Sequence, residues 1–339
     1  MLNLVHLDRL QEGKVLLAFS GGVDSTALFH LLLEHGIEFD IAHVNYHTRP
    51  SSDAEALSAE ELALTHGLVC YAHSCHLTGT NFEHRAREER YGFFAYLIEK
   101  YGYRYLLTAH QLNDRLEWLL MQMCRGSGLP ELLGVRSIDS REGMTILRPL
   151  LEHDRESIEA YLHERKLSYH NDESNADERY TRNYFRHRYS APLMREYRDA
   201  IRRSFRYLEE DNDTLIEKID FQLADGLYYV PNPINSHSLV YGVDALLKSL
   251  GYVMRSSDKE RLKKERCTII VGRAYIVWVD DTYTFVAAYH PNVVMDKGFK
   301  EECRRLRIEP KLRGFLYGAP GGWETIRRLK DAPVLPQSD

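Results

Sequence analysis

The sequence predicts an α/β protein whose N-terminal part is built on a parallel sheet. Short apolar runs alternate with amphipathic segments between residues 15 and 108, a glycine-bearing turn joins the first run to the first amphipathic segment, and the alternation stops after Pro149. Strands that alternate with helices pair in parallel through right-handed crossovers, and such sheets bind ligands at the carboxyl ends of their strands.

The expected strands are residues 15–19 (VLLAF), 38–44 (EFDIAHV), 68–72 and 103–108 (YRYLLT), each a short apolar run bounded by polar segments. Helical patterns fill the intervals at 25–35, 54–66 and 82–101, with a further helix at about 112–125. Residues 155–165 read as a helix, 170–181 as a polar loop, and 184–221 as a helix-prone, arginine-rich stretch. Beyond 227, apolar stretches at 267–271, 274–279 and 285–288 mix with helical segments near 244–250 and 258–266, which indicates a small α+β domain. The expected organisation is a nucleotide domain over 1–150, a helical connector over 151–222 and a C-terminal domain over 223–339. The tail 331–339, with two prolines, is expected to be disordered.

Of the 339 residues, 44% are hydrophobic and 28% charged, enough to bury a core. The net charge of −6 shows no global nucleic-acid signature, so any such surface must be local. Five cysteines (Cys70, Cys75, Cys124, Cys267, Cys303) are scattered without a CxxC pair, which argues against a zinc ribbon, an iron–sulfur ligand set or a disulfide framework. Charges appear at Asp8 and Arg9 with no apolar core before them, so no signal peptide is expected, and no run approaches the length of a membrane span. A cytoplasmic protein with no membrane partner is the expectation.

The sharpest motif is Ser20-Gly21-Gly22-Val23-Asp24-Ser25, which follows the first strand and opens the first helix. Two glycines let the backbone approach an anion, and the helix start turns free N–H groups and its positive dipole end toward it. Ser20 and Ser25 add hydroxyl donors, and Asp24 sets a carboxylate where Mg2+ can be held jointly with phosphates. The Walker pattern is absent. An isolated SGG turn carries no functional weight; the full hexapeptide between strand and helix is read as functional. It resembles the loop of the PP-loop ATP pyrophosphatases, a Rossmann-like superfamily whose members bind ATP and transfer AMP to a carbonyl oxygen. The resemblance implies ATP contacts at Ser20, Gly21, Gly22, Val23, Asp24 and Ser25, with Mg2+ at Asp24, and leaves the substrate open.

A second motif, Thr108-Ala109-His110-Gln111-Leu112-Asn113-Asp114-Arg115-Leu116-Glu117, follows the fourth strand, and Arg125-Gly126-Ser127-Gly128-Leu129 closes the ensuing helix. Asp114 and Glu117 stand three apart on one helix face. They could hold a cationic substrate, take its proton, or be a solvated helix start favoured by the macrodipole. The run resembles the tRNA(Ile)-lysidine synthetase family, with Asn113 in place of the first Asp of that family's doublet and Trp118 in place of its Thr. Two more stretches are similar to the same family: residues 81–91 (NFEHRAREERY), and residues 172–177 followed by Thr181-Arg182-Asn183-Tyr184-Phe185-Arg186, with Glu173 replacing a proline. His43-Val44-Asn45 ends the second strand as the family's nucleotide-contacting strand does. The four motifs cover about residues 15–195.

On that resemblance Asn45 and His110 join the ATP contacts, Asp114 and Glu117 receive free L-lysine, and Arg85, Arg182, Asn183 and Arg186 contact tRNA. The catalytic carboxylates would be Asp24, Asp114 and Glu117. The implied reaction joins lysine to C2 of the wobble cytidine in the CAU anticodon of an isoleucine tRNA, through an adenylated intermediate, with ATP and Mg2+ as cofactors. A homodimer is admitted but not demanded by the sequence.

Residues 179–206 carry nine arginines against Glu196 and Asp199, a net +7 in 28 residues of an acidic chain. Such a run is often a solvated face; the sign reversal with Tyr180, Tyr184 and Tyr189 interleaved favours RNA backbone contacts. Residues 297–313 hold seven basic and three acidic residues and read as a surface helix or a second phosphate contact. His30, His35, His66 and His163 show no metal-ligand spacing. The competing functional reading is another PP-loop enzyme, such as a tRNA thiolase, which the lack of cysteine pairs disfavours.

Overall fold

A computed structural model describes residues 2–48, 51–77, 82–141, 143–170, 179–233, 235–264 and 267–331. Asn81, the stretch 172–177 and the tail beyond Asp331, all read from sequence above, lie outside these residues. The chain divides into two compact units, Met1–Glu209 and Glu210–Asp339, and residues 151–209 lie within the first.

The first unit begins with α1 (Leu7–Leu10), β1 (Val15–Ala18), α2 (Val23–Glu34), β2 (Phe39–Asn45), α3 (Ser52–Thr65), β3 (Cys70–Ser74), α4 (Phe82–Tyr101) and β4 (Leu106–Leu107). It continues through α5 (Leu112–Met123), α6 (Leu129–Leu132), β5 (Ile138–Arg141), β6 (Met144–Leu147), α7 (Arg155–Glu164) and α8 (Thr181–Phe185). A π-helical turn over Arg186–Ser190 then leads into α9 (Ala191–Leu215).

The sheet order is β3-β2-β1-β4-β6-β5. All neighbours are parallel except β5, which runs antiparallel to β6 at the edge. The third strand starts two residues later than its apolar run suggests. The fourth is trimmed to two residues, although Tyr105 still accepts a bond from the Leu16 N–H and Thr108 still donates to Leu147. The β5–β6 hairpin was not foreseen: Ile138 is the one apolar residue of β5, Met144, Ile146 and Leu147 are those of β6, and Gly143, at φ 78°, takes the left-handed turn conformation.

Successive strand residues face opposite sides of the sheet. Leu17, Phe39, Ile41 and Leu107 therefore share one core with Ala27, Leu28 and Leu31 of α2, Ala59 and Ala63 of α3, and Ile158 and Leu162 of α7. Leu16, Ala42, Leu106 and Ile146 share the other with Tyr91, Phe94 and Leu97 of α4. Each fully buried aliphatic side chain contributes about 1.5–3 kcal/mol. A third cluster joins α5 to α9 through Leu112, Leu116, Met194 and Phe205. This packing seats the arginine-rich segment against α5.

The second unit contains β7 (Gln222–Ala224), β8 (Leu227–Pro231), α10 (Ser236–Ser249), α11 (Ser256–Leu262), β9 (Thr268–Val271), β10 (Tyr275–Val279), β11 (Tyr283–Ala288), α12 (Lys297–Arg305), α13 (Arg313–Gly318) and α14 (Pro320–Asp331). Its antiparallel sheet, ordered β7-β8-β11-β10-β9, is covered on both faces. Ile276 and Trp278 pack with Leu312 and Phe315, and Val277 and Val279 pack with Val243 and Leu247. The α+β expectation holds, with β7 and β8 as strands the sequence reading did not mark.

Candidate active site

Residues 20–25 link β1 to α2. Gly21 sits at φ 74°, and a Cβ there would lie 3.1 Å from His170 Cδ2, so this glycine serves the turn itself. Gly22 is the N-cap of α2, and no side chain caps the helix. A Cβ on Gly22 would meet only Ser20 Oγ, at 3.5 Å. The backbone at Gly22 therefore stands open toward a ligand, beside N–H groups and a dipole that favour phosphate. Ser25 Oγ donates to the Gly22 carbonyl at 3.1 Å and lies 3.1 Å from Ser20 Oγ, and Thr26 Oγ1 donates to the Gly21 carbonyl at 3.2 Å. These bonds hold the loop in shape.

Asp24 lies in the first turn of α2. Its Oδ2 accepts from Arg155 Nη1 at 3.0 Å, while its Oδ1 is buried with no hydrogen-bond partner. Burial pushes its carboxyl up to about 7, with Arg155 opposing the rise and Asp114 adding to it. A buried carboxylate oxygen without a partner is costly unless a cation meets it. The donor chemistry at Asp24 therefore fits Mg2+.

The carboxyl end of β4 continues through Thr108, Ala109 and His110 into α5. His110 Nδ1 lies 2.9 Å from Thr108 Oγ1, and burial, opposed by Asp114, holds its imidazole well below the usual pKa, hence neutral. The start of α5 is a reciprocal cap: Asn113 N–H donates to Gln111 Oε1 at 2.7 Å, and Gln111 N–H donates to Asp114 Oδ2 at 2.9 Å. Asp114 thus spends one oxygen on the helix start. Its other oxygen accepts from Arg182 Nη2 at 2.5 Å.

Glu117, one turn on, is 0% exposed and accepts from Arg182 Nε at 2.9 Å and from Arg186 Nε at 2.7 Å. Arg182 and Arg186 are four apart on α8 and the π-helical turn, which matches the three-residue spacing of the acids on α5. Against burial, Arg182 holds Asp114 below the usual carboxylate range, and Asp114 raises Arg182 in return.

Two neighbouring cavities open here. One, of about 450 Å3, is lined by Ser20, Gly22, Asp24, Ser25, His110, Asp114, Arg155, Arg182 and Arg186, among others. The second, of about 570 Å3, is lined by His43, Asn45, Tyr46, Phe82 and Asn183, among others. Ala18, Ser20, Glu55, Arg90, Phe94 and Arg182 belong to both. Ser20, Gly22, Val23, Asp24 and Ser25 of the loop therefore share one cavity with His110, Asp114 and the two arginines of α8 and the π-helical turn, while Gly21 does not line it. Glu117 lines neither cavity, nor does Arg85. The Asn45 side chain is held on both ends, donating to Asp53 Oδ1 at 2.7 Å and accepting from the His47 N–H at 2.8 Å.

Sequence reasoning missed Arg87, Arg90 and Arg155, which all line the first cavity. Arg87 and Arg90 stood in the quoted helix 81–91, where helical periodicity groups them with buried Tyr91 and Phe94 rather than with Arg85. Arg155 offered no sequence signal beyond opening a helix. The histidine spacing also hid one cluster: His73, Cys75 and Glu89 come together, with His73 Nε2 2.9 Å from Glu89 Oε1. Among the described residues this is the one group of three or more metal-competent side chains, and it holds a single cysteine.

Strand order, crossover helices and the uncapped glycine loop at the sheet's carboxyl edge define a PP-loop protein. The PP-loop domain family matches residues 2–192. Among solved structures, the U34-tRNA thiolase NcsA from Methanococcus maripaludis, with its 4Fe-4S cluster, shares this fold with a TM-score of 0.50 and 17% identity, over 63% of this chain and 76% of its own. Curated relatives are nearer. The tRNA(Ile)-lysidine synthase of Wolinella succinogenes is 41% identical over 94% of this chain and 97% of its own length. Those of Helicobacter pylori and Campylobacter jejuni are each 38% identical, over 92% of this chain and 92% and 94% of theirs. The chain belongs to the tRNA(Ile)-lysidine synthase family.

Proposed function

We propose that this chain joins free L-lysine to C2 of the wobble cytidine in the CAU anticodon of an isoleucine tRNA, converting ATP to AMP and pyrophosphate, in the cytoplasm. The observation that carries the reading is the open cradle at Gly22 beside Asp24 Oδ1, in a chain of this family. In the first step the C2 carbonyl oxygen of the cytidine attacks the α-phosphorus of ATP, and the bond to the pyrophosphate oxygen breaks. In the second, the lysine ε-amine attacks C2, the C–O bond to AMP breaks, and the nitrogen loses a proton. Mg2+ held at Asp24 would neutralise charge on the phosphates.

The amine, with an ordinary pKa of about 10.4, needs a base at neutral pH. Asp114 lines the cavity, which supports it as that base, Asp24 being engaged by the metal. Glu117, sealed beneath Arg182 and Arg186, acts by holding those arginines toward the cavity. Exposed Arg195, Arg203 and Arg206 on α9, with Asn183 and the C-terminal domain, are assigned to the tRNA. A thiolase reading is disfavoured because no described metal-competent group contains two cysteines.

The test is incubation with ATP, labelled lysine and bulk tRNA. Label in an isoleucine tRNA, dependent on ATP, is the expected result. Label that never enters RNA, despite ATP turnover, would overturn the reading.

A further inference from the structure

Arg155 opens α7 at the edge of the phosphate cradle. Its backbone N–H donates to Asn113 Oδ1 at 3.2 Å, which ties the start of α7 to α5. Its guanidinium donates from Nη1 to Asp24 Oδ2 at 3.0 Å and from Nε to Glu159 Oε1 at 2.7 Å. Among the described residues its Nη2 has no partner, and the side chain lines the same cavity as Gly22 and Ser25. The guanidinium is thus bonded to the carboxylate that suits Mg2+, within reach of the helix start that suits phosphate.

The charges at this point are those of an exchange. With no ligand, one arginine balances one aspartate. Asp24 would hold the cation of a magnesium–polyphosphate, and the guanidinium so released would face the negative charge of the phosphates in the same cavity. A planar guanidinium matches phosphate oxygens in a bidentate way. We infer that Arg155 guards Asp24 in the empty site and passes to the terminal phosphates of ATP, holding the pyrophosphate as it leaves. The inference rests on the proposed function's assignment of residues 20–25 to phosphate.

Two binding experiments without turnover test it. Calorimetry with inorganic pyrophosphate and Mg2+ is run on the wild type, Arg155→Met, Arg155→Lys and Gly22→Ala. Mn2+ binding, without any phosphate, is followed on the same proteins by electron paramagnetic resonance. Loss of a charged hydrogen-bond partner should weaken pyrophosphate binding by about ten- to a hundred-fold in Arg155→Met, with a smaller loss in Arg155→Lys. AMP affinity should stay within about threefold. Mn2+ should bind Arg155→Met more tightly than the wild type, because nothing competes for Asp24. These opposite signs are what a merely structural arginine would not produce.

Wild-type pyrophosphate affinity in Arg155→Met, alongside a loss in Gly22→Ala, overturns this inference alone. Pyrophosphate affinity that Gly22→Ala leaves intact overturns the loop assignment and this inference with it. Parallel losses of pyrophosphate, AMP and Mn2+ in both arginine variants, with lower melting temperatures, also overturn it.

Discussion

Arg182 donates from Nε to Glu117 Oε2 across 65 residues of sequence, at 2.9 Å, and this bond closes the helix face that the sequence offered to lysine. The same guanidinium reaches Asp114, so two residues read as tRNA-facing cations and two read as a lysine seat form one network. Asp114 borders the cavity and Glu117 does not. Glu117→Gln should therefore lower the melting temperature and depress adenylation and lysine transfer together. Removing one partner of a buried pair costs about 3–5 kcal/mol, an upper limit here because Arg182 is half exposed. Asp114→Asn should instead raise the lysine KM by about ten- to a hundred-fold, with adenylation of the tRNA persisting. Identical behaviour of the two variants would show that the pair acts as a unit.

Asp24 ties stability to pH in the opposite direction from an ordinary paired carboxylate. Its folded-state pKa of about 7 lies above the ordinary 3.8, so its contribution is fully present below pH 3.8 and is lost as pH rises through 7. Asp24→Asn, which cannot ionise, should gain melting temperature relative to the wild type as pH rises from about 4 to 8, while adenylation is nearly abolished. Mg2+ should stabilise the wild type alone. A melting difference that is flat across this range would show that Asp24 titrates as a solvated carboxyl.

The arginine-rich segment is split by its partners. Arg202 donates to the Glu152 carbonyl at 2.8 Å and, with Arg198, lies within 4 Å of Asp154, whereas Arg195 and Arg203 are exposed. Arg195→Ala and Arg203→Ala should each reduce the log–log salt slope of tRNA binding by about one unit with the melting temperature unchanged. Arg202→Ala should cost about 1 kcal/mol of stability. Filter binding across a salt series, beside thermal melts, reads both; equal slopes in all variants would leave the basic run a solvated face.

Asn113 departs from the family's acidic doublet, yet its Oδ1 is an acceptor for the Arg155 N–H. A carboxylate accepts as well as an amide. Asn113→Asp should be close to neutral in thermal melts, while Asn113→Ala should cost about 0.5–1.5 kcal/mol and loosen the start of α7. A destabilised Asp variant with a normal Ala variant would contradict this role.

The parallel sheet, the loop at 20–25 and the carboxylates of α5 were legible in the chain because each is written in consecutive residues. A strand's apolar run, a glycine pair ahead of a helix and a three-residue spacing are local patterns with local causes. The second unit's antiparallel sheet was legible only as a class, since Gln222–Ala224 has three residues and Leu227–Pro231 lies between Gly226 and the prolines at 231 and 233, which read as a loop. The β5–β6 hairpin was hidden because Ile138–Arg141 carries a single apolar residue. What only the tertiary structure decided is which charges meet. Periodicity places Asp114 and Glu117 on one face, but the packing of Leu112 and Leu116 against Met194 and Phe205 brings Arg182 and Arg186 onto that face. The attachment of α7 to α5 likewise delivers Arg155 to Asp24. Ion pairs between distant segments depend on Å-scale placement by a core that many sequences could fill, so no window of the chain records them.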